Sequence, residues 1–299
     1  SITADFVSRN VFGLKPVFNF QITRMMPLGS YGHVILLGVL LGGLGIVYNT
    51  CLAKTQDVFQ KIPKQTIRLL IPFFLAGVFG FTYPYVLGGG HPLVENLTTD
   101  QLVIGGLCLL FILKFSFSLI SFGSGAPGGI FLPLLVLGAI IGSIYYKTAE
   151  GVTGSLDGLL DNFIILGMAG YFAAIVRAPI TGIILISEMT GSFSHLLTLS
   201  MVSLVAYVIP DMAHCAPVYD QLLHRLLARL NPQNGLVSRG EKVLVEGMIF
   251  HGSEAEGRKV SEIQWPRTCL LVSLIRGEAE FVPRGETSFL AGDKLVILC

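Results

Sequence analysis

The chain has 299 residues, 52% of them hydrophobic and only 13% charged, with a net charge of +1 and a mean hydropathy of +0.71. Soluble domains carry about 25% charged residues, so this composition points to a membrane protein, and the near-zero net charge argues against nucleic acid as a partner. Five scattered cysteines with no C-x-x-C pair argue against a disulfide or zinc framework. In chain order, residues 1–11 read as the last turns of a helix already under way, so the chain is expected to begin in mid-protein. Residues 12–30 form a connector. Tyr31 to Ala53 is an apolar run long enough to span a bilayer. Lys54, Lys61, Lys64 and Arg68 then cluster, which places that end on the cytoplasmic side.

A second span over 67–87 is expected to be broken by Pro72 and Pro84. Gly88-Gly89-Gly90 interrupts the chain, and Pro92-Leu93-Val94 opens a segment too short to cross. Residues 101–122 form another span, with Lys114 inside it, expected to snorkel. A helix runs from Ile130 to about Tyr146, and residues 147–161 read as a surface loop. Shorter apolar pieces follow over 162–176, 179–190 and 193–210, the first two separated by Arg177-Ala178-Pro179. Short, broken helices mark ion and substrate sites in transporters, where half-helix ends meet near mid-membrane.

The charge density rises after about residue 211. Residues 217–230 suit a helix with proline at its start, and 231–235 a linker. Strand-like runs follow at Val243–Val245, Met248–Phe250, Cys269–Ile275, Glu280–Val282 and Lys294–Leu298. A short helix is expected over Gly257–Ile263 and a turn at 276–278. The predicted class is therefore mainly α: a polytopic membrane protein with broken and tilted helices, followed by a small α+β soluble domain. That domain, about 65 residues long, is near the lower limit for standing alone and is expected to dimerise.

The stretch Gly123-Ser124-Gly125-Ala126-Pro127-Gly128-Gly129-Ile130-Phe131-Leu132-Pro133 joins two long apolar runs. Its second half reads as the first turn of a helix. Helix starts leave backbone N–H groups without intrahelical partners, and together with the helix dipole they favour an anion.

Gly129-Ile130-Phe131-Leu132-Pro133 resembles the G-x-F-x-P motif of CLC chloride channels and proton-coupled chloride transporters. Gly167–Ala174, Arg177–Gly182, Glu188-Met189-Thr190 and Pro217-Val218-Tyr219 resemble the later helices of the same fold. The likeness covers nearly all of residues 1–230 and implies the second inverted repeat, helices I to R. Gly257–Ile263, Arg276-Gly277-Glu278, Val282–Thr287 and Leu290–Leu295 resemble a TrkA-C (RCK C-terminal) domain, which in its family is regulatory and often takes a small ligand. The organisation expected is 1–216 CLC-like membrane region, 217–235 last helix and linker, and 236–299 TrkA-C-like domain.

The resemblance implies chloride as the transported ligand, held by the backbone amides of Ile130 and Phe131 and by the Tyr219 hydroxyl, with Gly129 and Pro133 as motif residues. The apolar side chains of Ile130 and Phe131 suit this role, since the amides donate while the side chains exclude water. The resemblance also implies a homodimer in the inner membrane, with Ile180, Ile183, Ile184, Leu197 and Leu204 facing the second subunit, and a cytoplasmic tail. The family's G-[KR]-E-G-P motif and its inner proton glutamate have no match, so the N-terminal half of the transporter is expected to be missing from this chain. Channel and exchanger stay open. Gly123-Ser124-Gly125-Ala126-Pro127 spells the family's first-half G-S-G-x-P, but Gly-Gly-Ile-Phe-Leu-Pro follows it directly, so Ser124 is expected to be a turn residue. Arg177 is expected to pair with Glu188 or cap helix-end carbonyls. No metal spacing, no cofactor and no nucleophile with a base are visible, so no enzyme is expected. Two alternatives stand beside this reading: a non-transporting remnant or ligand-sensing subunit, and a potassium-transport regulator suggested by the tail.

Overall fold

The computed structural model describes residues 18, 20, 26–99, 102–126, 128–154, 156–191, 195–230, 244–263, 265–266, 269–277 and 279–298. The expectations over residues 1–11, at Pro127 and over the linker 231–235 lie outside them. The chain falls into two compact units, divided between Leu227 and Ala228.

The first unit is helical. Its helices are α1 (Tyr31–Gln60), α2 (Gln65–Thr82), α3 (His91–Thr98), α4 (Ile104–Gly123), α5 (Phe131–Thr153), α6 (Leu160–Val176), α7 (Pro179–Thr190), α8 (Leu196–Met212) and α9 (Val218–Leu230), the last continuing into the second unit. Among the described residues, α1, α2, α4 and α5 are long and apolar enough to cross a membrane. The shorter α6, α7 and α8 are apolar too. Several boundaries differ from the sequence reading. α1 continues past Lys54 to Gln60, and α2 runs through Pro72 without ending. α5 extends to Thr153, so much of the expected loop is helix. Its last residues, Lys147 to Thr153, lie on the end of a helix already nucleated by a buried apolar run, and propagation costs little there.

Glycines hold the packing together. α5 and α6 touch backbone to backbone. A Cβ on Gly138 would run into the Gly167 carbonyl, one on Gly142 into the Phe163 carbonyl, and one on Gly167 into the Gly138 carbonyl. α1 packs similarly. A Cβ on Gly38 would lie 2.9 Å from Val205, on Gly42 2.6 Å from Ile209, and on Gly45 2.7 Å from Ala174. In lipid there is no hydrophobic drive between helices, so close approach of small residues supplies dispersion contact instead. α6 is buried almost throughout, from Asn162 to Ile175. α2 is the opposite: Phe73, Phe74 and Phe81 are 71%, 73% and 96% exposed. Such a surface is untenable in water and ordinary against acyl chains. Ile180, Ile184, Leu197 and Leu204 are likewise exposed, but Ile183 is buried in the chain's own core, which corrects the expectation that it faces a second subunit.

The second unit carries a four-stranded antiparallel sheet in the order β1-β4-β2-β3, with β1 (Leu244–Met248), β2 (Leu270–Arg276), β3 (Ala279–Phe281) and β4 (Lys294–Leu298). The two strands expected over 243–250 are one, because Glu246 and Gly247 both pair with β4, at Val296 and Leu295. The expected helix over 257–263 is only a 3-10 turn, Val260–Glu262. Ile249, Leu274, Phe289 and Leu295 form the core, and Trp265 packs against Phe289. Beside them Asp293, almost fully buried, accepts from Arg276 Nε at 2.8 Å, Arg276 Nη2 at 2.7 Å and the Leu290 amide at 2.8 Å. The Arg276 guanidinium holds the Asp293 carboxyl below its ordinary value of 3.8.

Two outcomes are expected. Gly142→Ala lowers stability in detergent by about 3 kcal/mol or more through backbone overlap, while Gly43→Ala, with open space around it, changes it by less than about 1 kcal/mol; thermal unfolding measures both. In the tail, a carboxyl with a depressed folded value contributes stability that is complete above its unfolded value and lost as pH falls through the folded one. Fluorescence of Trp265, the chain's single tryptophan, therefore reports acid unfolding of the tail below pH about 4. Asp293→Asn flattens that pH dependence and costs about 2 kcal/mol at neutral pH.

Candidate anion site

The glycine-rich stretch sits where α4 ends and α5 begins. Ser124 closes α4: its Oγ donates to the Ser121 carbonyl at 2.7 Å and accepts from the Ala126 amide at 3.3 Å. It is a turn residue, as expected. Gly125 follows with φ +82°, a conformation that favours glycine. Ile130 is the N-cap of α5 and only 3% exposed. No side chain caps this start. Among the described residues, nothing accepts from the amides of Gly129, Ile130, Phe131 or Leu132. Pro133 needs no acceptor, so the sequence puts it where its missing N–H costs nothing.

A cavity of about 190 Å³ opens at this helix start. Gly128, Gly129, Ile130 and Pro133 line it from the α5 side, and Ala126 from the preceding loop. Lys114, Phe117, Ser118, Ser121 and Phe122 line it from α4 and Gly88 from the turn before α3. Unpaired amides, a dipole end and two serine side chains stand among largely apolar walls. Such a site suits a small monovalent anion.

The expected residues are only partly brought together. Ile130, Gly129 and Pro133 line the cavity; Phe131 and Tyr219 do not. The Phe131 ring packs edge-on against Phe172, with centroids 5.5 Å apart. Tyr219 sits in the first turn of α9 and is half exposed. Behind the cavity wall stands Tyr48, which the sequence reading missed because a tyrosine inside an apolar run looks like any other spanning residue. Tyr48 is fully buried on α1 and hydrogen-bonds Ser118 Oγ at 3.3 Å, and Tyr219 lies within its electrostatic reach. Tyr171 packs edge-on against it, with a buried hydroxyl that has no hydrogen-bond partner among the described residues.

The start of α9 is held from several sides. Arg177 donates to the Cys215 carbonyl at 2.7 Å and to Asp211 Oδ1 at 2.9 Å, and lies over the Tyr207 ring. It therefore caps a carbonyl, as expected, but its acid is Asp211 and not Glu188. Asn49 donates to the carbonyls of Ala216 and Ile175 at 3.4 Å, and Gln221 to the Ala216 carbonyl at 2.7 Å. Lower on α9, Arg225 makes a bidentate pair with Asp57 of α1, at 2.6 and 3.3 Å. Lys114 does not snorkel. Its Nζ donates to the carbonyls of Val86 at 2.8 Å, Gly88 at 2.9 Å and Leu87 at 3.5 Å. Among the described residues, no group of three or more His, Cys, Asp or Glu could hold a metal ion.

The Tyr48–Ser118 pair has a measurable signature. Ser118→Ala leaves the buried Tyr48 hydroxyl without its partner and costs about 1–3 kcal/mol, whereas adding Tyr48→Phe recovers part of the loss. A double-mutant cycle by thermal unfolding reads the coupling.

A family profile described as voltage gated chloride channel matches residues 1–211, and one described as TrkA-C domain matches residues 244–299. The H(+)/Cl(-) exchange transporter ClcA of Vibrio parahaemolyticus is 38% identical over 232 residues, covering 76% of this chain and 50% of that protein. The ClcA of Yersinia pestis is 33% identical over 233 residues, with 76% and 49% covered. The chain thus spans about half the length of the curated relatives it matches. Among solved structures, a slow cyanobacterial Cl-/H+ antiporter superposes with a TM-score of 0.70 at 31% identity, over 77% of this chain and 55% of that one. A CLC-type fluoride/proton antiporter superposes at 0.60 with 19% identity, over 73% and 53%, which speaks to the fold alone.

Proposed function

Because the chain belongs to the voltage gated chloride channel family and carries a TrkA-C domain, we propose that it is part of a membrane chloride transport protein. The observation that carries this reading is the uncapped start of α5, where the amides of Ile130 and Phe131 have no acceptor among the described residues beside a cavity of about 190 Å³. Chloride is held there by partial charges from backbone N–H groups, with Gly129 letting the chain approach and Pro133 fixing the first turn. The Tyr219 hydroxyl donates from the α9 side, next to the Tyr48–Ser118 pair. Several partial charges in an apolar surround hold an anion and still release it; a free ammonium would hold it longer.

The organisation that fits is a CLC-like membrane region over 1–216, the last helix and linker over 217–235, and a regulatory domain over 236–299 that takes a small molecule. Lys54, Lys61, Lys64 and Arg68 put the C-terminal end of α1 on the cytoplasmic side of an inner membrane, and the tail is cytoplasmic. The exposed residues Ile180, Ile184, Leu197 and Leu204 on α7 and α8 suit a homodimer contact. The relatives are named for H(+)/Cl(-) exchange, which supports transport as the role and gives the potassium reading no footing.

Two measurements test the reading. Titration calorimetry of the purified chain detects chloride binding, and Tyr219→Phe weakens it by about three- to tenfold through loss of one hydroxyl donor. Liposomes holding the chain together with a first-half polypeptide of the family pass chloride. Potassium flux in place of chloride flux overturns the proposal.

A further inference from the structure

Among the described residues on the cavity wall, Lys114 is the one charged side chain, and the chloride reading leaves it without a role. It sits within α4 and is 2% exposed. A lysine inside an apolar run ordinarily stretches to the interface. This one turns inward and spends its donors on three backbone carbonyls, Val86, Leu87 and Gly88. An ammonium has three N–H groups, so none remains to ligate an anion.

Those carbonyls belong to the Pro84–Val86 3-10 turn and the glycine turn that follows it. The far side of the glycine turn lies against α5. A Cβ on Gly89 would sit 3.0 Å from Leu132 Cδ1, and one on Gly90 2.8 Å from Val136 Cγ2. Leu132 and Val136 are in the first two turns of α5, the helix whose start offers the unpaired amides. A continuous set of contacts therefore runs from the ammonium, through the carbonyls and the glycine turn, to the helix start.

We propose that Lys114 is a positioning residue of the anion site: its ammonium clamps the Val86–Gly88 carbonyls, and the clamped glycine turn sets where the first turns of α5 stand against the cavity. The proposal rests on the anion reading of that helix start. Removing the ammonium leaves three carbonyls without their donor, so the turn must move to find others, and the Leu132–Val136 face loses its support.

The test uses the full chain in detergent with two readouts, chloride affinity by calorimetry and hydrogen exchange of the segment 128–136. Lys114→Met is expected to weaken chloride binding about tenfold and to speed exchange in that segment. Gly89→Val, which changes no charge, pushes on Leu132 and is expected to do the same; adding Leu132→Ala makes room and restores both readouts in part. Lys114→Arg, which keeps charge and donors, recovers part of what Lys114→Met loses. If Lys114→Met leaves affinity and exchange as in the wild type, the clamp is refuted. It is equally refuted if Gly89→Val changes neither readout, since charge alone would then be acting, and this arm decides the matter even where Lys114→Met does not fold. Wild-type protein that binds no chloride sinks the anion reading, and the exchange measurements still decide the clamp.

Discussion

The contact on which the membrane unit depends is the crossing of α5 and α6. Gly138 and Gly142 on one helix meet Gly167 and the Phe163 carbonyl on the other, with no side chain between. This geometry brings two backbones within van der Waals reach and buries α6 almost entirely. It also fixes the axis of α5, and so the spot to which its first-turn amides point. α1 and α8 close around the pair by the same means, through Gly38, Gly42 and Gly45. A core built on absent side chains tolerates little change. Even one methyl group at these positions must displace main chain, and main chain has nowhere to go.

Around that crossing, the candidate site is assembled from pieces that are far apart in sequence. The amides come from the α5 start, and Ser118 and Ser121 of α4 bring their side chains to the same cavity, with Tyr48 of α1 bonded to Ser118 from behind. Polar backbone that has left regular structure is tolerated at membrane depth only where something satisfies it. Two of the non-helical segments are tied off here. Lys114 takes the carbonyls before the glycine turn, and Arg177 and Asn49 take those of Cys215 and Ala216. Among the described residues, the amides at Gly129 to Leu132 are left without an acceptor, and open polar groups at a cavity wall are a natural place for a ligand.

Much of this was legible in the sequence, because membrane-length apolar runs and the Gly129–Pro133 motif are strong one-dimensional signals. The cap role of Ser124 followed from the order of the two motifs. Other features were not legible, for physical reasons. Lys147 to Thr153 carries polar residues and a glycine, yet it extends a helix already formed, and composition does not report nucleation. Glu246-Gly247 breaks an apolar pattern, but ladder bonds to β4 carry the strand across it. Partner choice was the weakest point. Arg177, left-handed at φ +64°, reaches Asp211, 34 positions on, instead of Glu188, and Lys114 finds carbonyls that no side-chain pattern announces. Ile183 shares an apolar stretch with Ile180 and Ile184 but points the other way.

The length of α1 has a consequence of its own. Thirty residues at about 1.5 Å each make a rod of about 45 Å, against a hydrocarbon thickness of about 30 Å. The excess must be taken up by leaning or by emerging. The glycine face between Gly38 and Gly45 lies against neighbouring helices, so α1 cannot lean independently of them. Asp57 and Arg225 meet near the C-terminal end of α1, both partly exposed, and an ion pair in contact with solvent is weakened by salt. α1 is thus tied to the α9 segment by an uncharged hydrogen bond from Asn49 to the Ala216 carbonyl and, further along, by an ion pair whose strength follows the ionic strength of the surrounding solution.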